Sequence, residues 1–379
     1  MSDSYHVADH QHMARALQLA ALGRYSTAPN PAVGCVLTDP AGQPVGEGWH
    51  RRAGEPHAEI LALRAAQGRE RGGTAYVTLE PCAHQGRTPP CVDAVLAAAP
   101  ARVVVAMEDP NPRVAGQGIR RLREAGLEVH VGLLGAEAAE LNRGFVSRMT
   151  RRRPWVTVKL GSSLDGRTAL ADGTSKWITG PAARADVQRL RAQASAVLTG
   201  IGTVLADDPA LTVRDPRFPL HGRRPLRVIF DARGQLPPRA RVLNDDHDTL
   251  VLTSQDGAAE LQAHGIHGQL HLELELLPVD AHGRLDPAVA LARLAERQCN
   301  EVLVESGARL AGSFLAAGLV DELVTYLAAT VLGQHGRPAF SLPQPLAALE
   351  QRARFGYHDV RIVGRDLRVT LRPLPEDRD

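Results

Sequence analysis

Only four cysteines occur in 379 residues, and aromatic residues make up only 4% of the chain. Charge of one sign is also lacking: Lys plus Arg number 44 against 42 for Asp plus Glu. Such a balance excludes a strong field that would draw the chain to nucleic acid or to an anionic membrane, and a small-molecule substrate fits better. No apolar run reaches the ~18 residues of a membrane span, and the N-terminal stretch "MSDSYHVADHQHMARALQLAALG" has no basic segment followed by an apolar one. The cytoplasm is therefore the expected compartment. In a reducing compartment a disulfide between Cys82 and Cys91 is unusual, which leaves metal binding, catalysis or simple burial as reasons for those thiols. Cys35 and Cys299 have no such spacing and read as core residues.

What is present is the composition of an ordinary globular protein, 44% hydrophobic and 23% charged. At about 150 residues per domain, the length predicts two domains. Apolar spacing predicts a helix over 9–22, a buried strand over 32–39, a helix from 57, a strand over 74–79, a helix from 91 and a strand over 102–107. A helix over 118–126 and a strand over 128–134 follow. The order of strands and helices makes the first part an α/β layered domain. The basic run "RRRP" at 151–154 is the best boundary, giving domains of 1–150 and 151–379, and reads as a solvated segment. A second alternation begins with the strand 155–161, a turn at Asp165 and Gly166, and a helix opened by Pro181. Strands at 196–200, 225–231, 249–254 and 301–305, with a helix over 286–298, make this another α/β domain. A closing strand pair and a disordered tail are expected after 345.

The stretch "LEPCAHQGRTPPC", residues 79–91, carries the first chemical signal, together with "HAE" at 57–59. One histidine and two cysteines suit zinc, and three protein ligands leave the fourth tetrahedral position open, as in a catalytic site. Cys91 opens a helix, where the dipole favours a thiolate. Zinc lowers the pKa of its water to about 7, and Glu59 is placed to shuttle protons. The order H-x-E, then P-C, then a second Cys is that of zinc deaminases, although eight residues replace the usual two between the cysteines. Within that loop, His84 and Arg87 are placed to reach an anionic or carbonyl-bearing part of a substrate. A folding zinc site or a pair of buried thiols is the plainer alternative. A metalloprotease is excluded, since H-E-x-x-H is absent.

The runs "PNPAVGCV", "HAEILAL", "TLEPCAHQGRTPPC" and "EDPNPRVAGQGI" resemble the deaminase half of the bifunctional riboflavin-biosynthesis deaminase/reductase family. The resemblance implies a cytidine-deaminase-like α/β/α domain in which His57, Cys82 and Cys91 hold one Zn2+ and Glu59 is the catalytic proton shuttle. It further implies that Asn30, His50, His84, Arg87 and Asn111 line a pocket for a pyrimidine ribose phosphate. Some members of the family carry Lys where Arg87 stands. Asn30 and Asn111 also lie beside prolines, where holding a turn is an alternative role.

In the C-terminal part, "VESGARLAG" and "LTGIGTVLADDPALTVR" place glycines after apolar strands, where backbone N–H groups can cradle a phosphate. Taken alone these glycines also suit ordinary helix packing, and the Asp207-Asp208 pair suits a turn or cap. In order with "KLGSSLDGRTA" and "SKWITG", however, they resemble the reductase half of the same family, so the resemblance covers nearly the whole chain. It implies a dihydrofolate-reductase-like α/β domain that uses NADPH. NADPH contacts then fall on Gly161, Trp177, Thr203, Asp207 and the loop of Gly307, Ala308, Arg309, Leu310, Ala311, Gly312 and Ser313. Substrate contacts fall on Ser175, Arg191, Leu211, Arg214 and Glu305. Arg191 and Arg214 suit the two-pronged grip that a 5'-phosphate needs. Lys159 and Glu305, polar residues read at strand ends, are candidates to orient substrate and assist protonation; an exposed strand-end lysine is the plainer reading of the first. The histidines of 261–283 have no ligand spacing and read as surface residues.

The resulting expectation is a cytoplasmic bifunctional enzyme, a homo-oligomer (dimer or tetramer). It would deaminate 2,5-diamino-6-(5-phosphoribosylamino)pyrimidin-4(3H)-one and then reduce the ribosyl side chain with NADPH. The competing readings are a nucleoside or tRNA-base deaminase joined to an unrelated NADPH reductase, and a zinc-stabilised scaffold that binds nucleotide without turnover.

Overall fold

The computed structural model describes residues 5–83 and 90–374, so His84 and Arg87 lie outside the described residues. The chain divides into two compact units: Met1–Arg153 with Pro219–Arg223, and Pro154–Phe218 with Arg224–Asp379.

The first unit runs α1 (Val7–Leu22), β1 (Gly34–Thr38), β2 (Pro44–Trp49), α2 (Ala58–Ala66), β3 (Thr74–Val77), α3 (Cys91–Ala98), β4 (Arg102–Val105), α4 (Gln117–Glu124), β5 (Glu128–Val131), α5 (Gly135–Leu141) and α6 (Arg143–Arg151). Its sheet has the order β2-β1-β3-β4-β5, with β1 antiparallel to β2 and β3, and with β3, β4 and β5 parallel. Period-two alternation makes the layers. Cys35, Leu37, Ala75, Val77, Val103 and Val105 face one side, against Ala58 and Ala62 of α2, Val92 and Val95 of α3 and Leu122 of α4. Val36, Tyr76, Val104 and Ala106 face the other, against Met13, Ala16 and Leu19 of α1 and Ala138 of α5. The result is the expected α/β/α arrangement.

Three elements here escaped the sequence reading. Strand β2, "PVGEGW", is partly exposed and rich in glycine, which weakens any strand signal. Helices α5 and α6 fill the segment before the basic run. That run is exposed over Arg151 and Arg152, yet it is no simple linker, because Arg151 closes α6 and Arg152 takes a left-handed conformation (φ 57°). Arg148 and Arg151 in the last turn complement the C-terminal end of the helix dipole.

The second unit runs β6 (Trp155–Ser163), β7 (Arg167–Ala169), α7 (Pro181–Gln193), β8 (Ala196–Gly200), α8 (Ile201–Asp207), β9 (Leu226–Phe230), β10 (Thr249–Thr253), α9 (Gln255–Ala263), β11 (Leu272–Leu276), α10 (Pro287–Glu296), β12 (Glu301–Val304), α11 (Ala308–Ala316), β13 (Glu322–Ala328), β14 (Arg337–Pro338), β15 (Phe355–Val363) and β16 (Asp366–Pro373). A nine-stranded sheet has the order β11-β10-β9-β8-β12-β6-β13-β16-β15. It is parallel from β11 to β13 and closes with the antiparallel β16 and β15. Val156, Val158, Leu198, Val228, Leu250 and Val304 pack against α10 and α11 on one face. On the other, Val197, Ile229 and Val251 meet α8 and α9, and Leu303, Val324 and Tyr326 meet α7. Strands covered on both faces read as near-continuous apolar runs, which is why β8, β9, β10 and β12 were legible. The short α8, the edge strand β11 and β13 were not read.

The connections place the chemistry. From β8 the chain moves outward to β9, whereas from β12 it crosses to the far side of β6 and forms β13. The carboxyl ends of β8 and β12 therefore flank a switch point, where open α/β sheets bind ligands.

Candidate functional site

In the first unit the amino ends of α2 and α3 converge beside the carboxyl end of β3. His57 caps α2 and Glu59 lies in its first turn; Cys82 follows β3, and Cys91 opens α3. The ligand atoms of His57, Cys82 and Cys91 all lie within 4.8 Å of one another. His57 Nδ1 is 3.6 Å from Cys82 Sγ and 3.3 Å from Cys91 Sγ. Tetrahedral zinc with one nitrogen and two sulfur ligands sets separations of roughly 3.5–3.8 Å; the donor set suits the ion, and the two distances from His57 lie within a few tenths of an ångström of that range. The backbone N–H of Cys91 donates to Cys82 Sγ at 3.3 Å. Hydrogen bonding from the Cys91 side chain, helped by His57, holds the Cys82 thiol below its ordinary value. The same contact raises the Cys91 thiol, and burial adds to the rise. Glu59 is buried, and burial pushes its carboxyl up to about 7.

Around this group, the His50 ring packs edge-on to His57 at a centroid distance of 5.2 Å. Asn30 Nδ2 lies 3.1 Å from His50 Nε2, and His50 Nδ1 lies 3.3 Å from the Pro56 carbonyl. Asn30 is thus joined to the histidines through its side chain. Its loop is held by Asn142, which accepts from the Ala32 N–H at 2.7 Å and donates to the Ala32 carbonyl at 2.9 Å. Asn111 differs: its Oδ1 accepts from the Arg113 N–H at 3.2 Å, the turn-holding role that its setting between prolines suggests. Cys35 and Cys299 are buried core thiols, and no disulfide joins the four described cysteines.

In the second unit, register explains a contact the sequence only hinted at. Strand β12 pairs with β6 as far as Val304 opposite Val158, so Glu305 and Lys159 occupy the next positions, where β12 leaves the sheet. Lys159 is therefore inside β6, paired with Val324 of β13, rather than at a strand end. Its Nζ is 3.2 Å from Glu305 Oε2. Arg191 binds the same carboxylate with Nε at 2.5 Å and Nη2 at 3.1 Å, while its Nη1 donates to the Thr212 carbonyl at 3.0 Å. Burial pushes the Glu305 carboxyl up, but the charges of Arg191 and Lys159 outweigh it and hold it at about 2. Arg191 and Arg214, the two arginines expected at a phosphate, differ in setting. The fork of Arg191 is already spent on Glu305, while Arg214 is exposed.

The amino ends of α8 and α11 flank the switch point. A Cβ on Gly307 would lie 4.0 Å from Thr203 Oγ1, and one on Gly200 would lie 3.3 Å from Leu310 Cδ2. Asp207 ends α8 and pairs with Lys176 at 3.5 Å. Asp208 caps α8 in a left-handed conformation (φ 43°), and its Oδ1 accepts from the Arg241 N–H at 2.8 Å. Gly161 lies beside Thr179, and Trp177 is exposed with the Arg184 guanidinium 4.4 Å above its ring. Ser175 is half-buried, and its carbonyl accepts from the Ile178 N–H. Leu211 and Ala311 are buried core residues. Gly312 lies against the Ser341 backbone. Ala308, Arg309 and Ser313 lie on the first turns of α11, with partial or full exposure. Glu80, which sequence reasoning missed, is also buried near the first site.

Residues 7–107 match the cytidine and deoxycytidylate deaminase zinc-binding region, and residues 154–364 match the RibD C-terminal domain. Together with the His57, Cys82 and Cys91 group, these matches define a zinc-binding deaminase region followed by a reductase domain. A riboflavin biosynthesis protein RibD from Escherichia coli (strain K12) is 47% identical over 372 residues, covering 96% of this chain and 99% of that protein. One from Haemophilus influenzae is 43% identical over 374 residues, covering 95% and 96%. Among solved structures, Acinetobacter baumannii RibD, form 1, is similar with a TM-score of 0.87 at 44% identity, covering 97% of this chain and 99% of that one. A Thermotoga maritima diaminohydroxyphosphoribosylaminopyrimidine deaminase/5-amino-6-(5-phosphoribosylamino)uracil reductase has a TM-score of 0.84 at 35% identity, covering 97% and 99%. The chain belongs to the RibD family and is a bifunctional riboflavin biosynthesis enzyme with deaminase and reductase activities. Full-length similarity leaves the nucleoside or tRNA-base deaminase with an unrelated reductase unfavoured. Among the described residues no helix is long and apolar enough to cross a membrane.

Proposed function

We propose that the first unit deaminates 2,5-diamino-6-(5-phosphoribosylamino)pyrimidin-4(3H)-one, and that the second reduces the ribosyl side chain of the product with NADPH to give 5-amino-6-(5-phosphoribitylamino)uracil. The observation that carries the reading is the buried Glu59 beside three zinc-compatible ligand atoms.

His57, Cys82 and Cys91 would hold the zinc, which supplies the Lewis acidity that makes water a nucleophile near neutral pH. Glu59, pushed up to about 7, can take a proton from the attacking water and return it to the departing amine. His50 and Asn30 form a polar wall suited to the pyrimidine edge, and His84, Arg87 and Asn111 are proposed to complete the pocket.

Bound NADPH would supply the hydride that reduces the sugar side chain. Gly161, Trp177, Thr203, Asp207 and residues 307–313 are the proposed contacts, with first-turn N–H groups of α11 facing its phosphates. Glu305, fixed by Arg191, orients Lys159, whose ammonium can hold a sugar oxygen or nitrogen and return a proton after reduction. Ser175, Arg191, Leu211 and Arg214 are the further proposed substrate contacts; Arg214 is the exposed cation suited to the substrate phosphate. Four thiols without a disulfide suit the reducing cytoplasm. We further propose a homo-oligomer, which sedimentation of the full chain tests.

The test is Glu59→Gln in the full-length protein. Ammonia release is expected to fall about 10²–10⁴-fold, with zinc retained and NADPH consumption on the deaminated substrate unchanged. Unchanged ammonia release in this variant would contradict the assignment of Glu59.

A further inference from the structure

Two residues before Cys82, Glu80 is buried, and its carboxylate accepts four backbone hydrogen bonds. Oε1 takes the N–H groups of Gly118 at 2.7 Å and Ile119 at 3.1 Å; Oε2 takes those of Gly116 at 2.9 Å and Asp109 at 3.0 Å. The first pair belongs to the opening turn of α4, whose cap residue Gly116 offers no side chain. Such N–H groups have no partner within the helix, and a carboxylate suits that end of the dipole. Contact is tight: a Cβ on Gly118 would lie 2.1 Å from the Pro81 carbonyl oxygen. The same segment contains the Asn111 turn, tied to Asp109 because Asp109 Oδ1 accepts from the Asn111 N–H at 2.8 Å. One turn along α4, Arg121 donates to the Ala83 carbonyl at 3.4 Å and pairs with Asp93 Oδ1 at 2.6 Å. It thereby touches the residue after Cys82 and a residue two positions beyond Cys91.

We propose that Glu80 is a positioning residue of the deaminase site, fixing the Cys82 segment and the Asn111 turn relative to each other through the amino end of α4. The inference rests on the deaminase reading above. A carboxylate presents two acceptor oxygens to the two pairs of N–H donors; a carboxamide keeps one and turns an NH2 against the other pair. A residue that served only to hold the fold would affect the protein as a whole, whereas misplacement of the pocket wall weakens substrate binding.

The experiment compares full-length wild type, Glu80→Gln and Glu80→Asp. It reads kcat and KM for ammonia release, zinc content, and NADPH-dependent reduction of the deaminated substrate. Glu80→Gln is expected to raise KM about tenfold or more with a smaller change in kcat, to keep zinc, and to leave the reductase activity intact. Glu80→Asp, which retains both acceptors, should recover part of the loss. If the Gln variant fails to fold, the Asp variant carries the same comparison of KM against kcat. Unchanged KM in a folded variant, or activity lost only in proportion to zinc, overturns this inference alone. No ammonia release from zinc-loaded wild type overturns the deaminase reading and this inference with it.

Discussion

Glu305 shows how one buried charge is kept by its neighbours. Its carboxyl falls from the ordinary 4.5 to about 2 in the folded chain, because Arg191 and Lys159 together outweigh the cost of burial. The folded form therefore prefers the ionised carboxylate. The pairing contributes its full stability above about pH 4.5, and that contribution is lost as pH falls towards 2. Glu305→Gln should cost about 3–5 kcal/mol at pH 7, since it leaves Arg191 and Lys159 facing a neutral group. Below about pH 5, wild-type stability should then fall more steeply than that of the variant. Chemical denaturation across that range measures both, and parallel pH dependence in the two proteins would contradict the pairing. The residue types at this site were legible from motif order, but the commitment of Arg191 to Glu305 was not. It depends on α7 and the end of β12 meeting, 114 residues apart in sequence.

The placement of α2 depends on glycine and alanine facing each other. Glycines 46 and 48 of β2 lie under Ala58, Ala62 and Ala66, and a Cβ on Gly48 would come within 2.4 Å of the Ala58 carbonyl oxygen and 2.5 Å of the Ala62 nitrogen. Small residues on both sides let the helix that begins at His57 lie close upon the sheet. Gly48→Ala should therefore destabilise the protein by about 1–3 kcal/mol through overpacking and reduce ammonia release by lifting the amino end of α2. Thermal unfolding and the ammonia assay together check this; a variant with wild-type stability and activity would show that the helix has room to move. The sequence pattern revealed α2 through its alanines and leucines. Its partner β2 escaped because the feature that makes it fit, glycine on the inward face, is also what weakens a strand signal.

Across the whole molecule there are two α/β units, each built on a sheet that carries helices on both faces. Alternating apolar runs made that organisation legible, because strands buried on both faces carry the densest hydrophobic signal. The candidate metal group was legible because His57, Cys82 and Cys91 lie at the starts or ends of recognisable elements. Long-range features such as Asn142 holding the loop after Asn30, or Glu80 holding α4, left no local pattern. They involve single polar residues whose partners are backbone N–H and carbonyl groups far along the chain.

If one chain carries out deamination and then reduction, ammonia must appear before reduced nicotinamide is consumed. The most direct measurement is a staged assay on the zinc-loaded full-length protein with 2,5-diamino-6-(5-phosphoribosylamino)pyrimidin-4(3H)-one. Ammonia is followed before NADPH is added, and the absorbance of the reduced nicotinamide afterwards. Ammonia release is expected without NADPH, followed by consumption of one NADPH for each ammonia released. NADPH consumption with no prior release of ammonia, or no ammonia at all, would contradict that sequence of reactions.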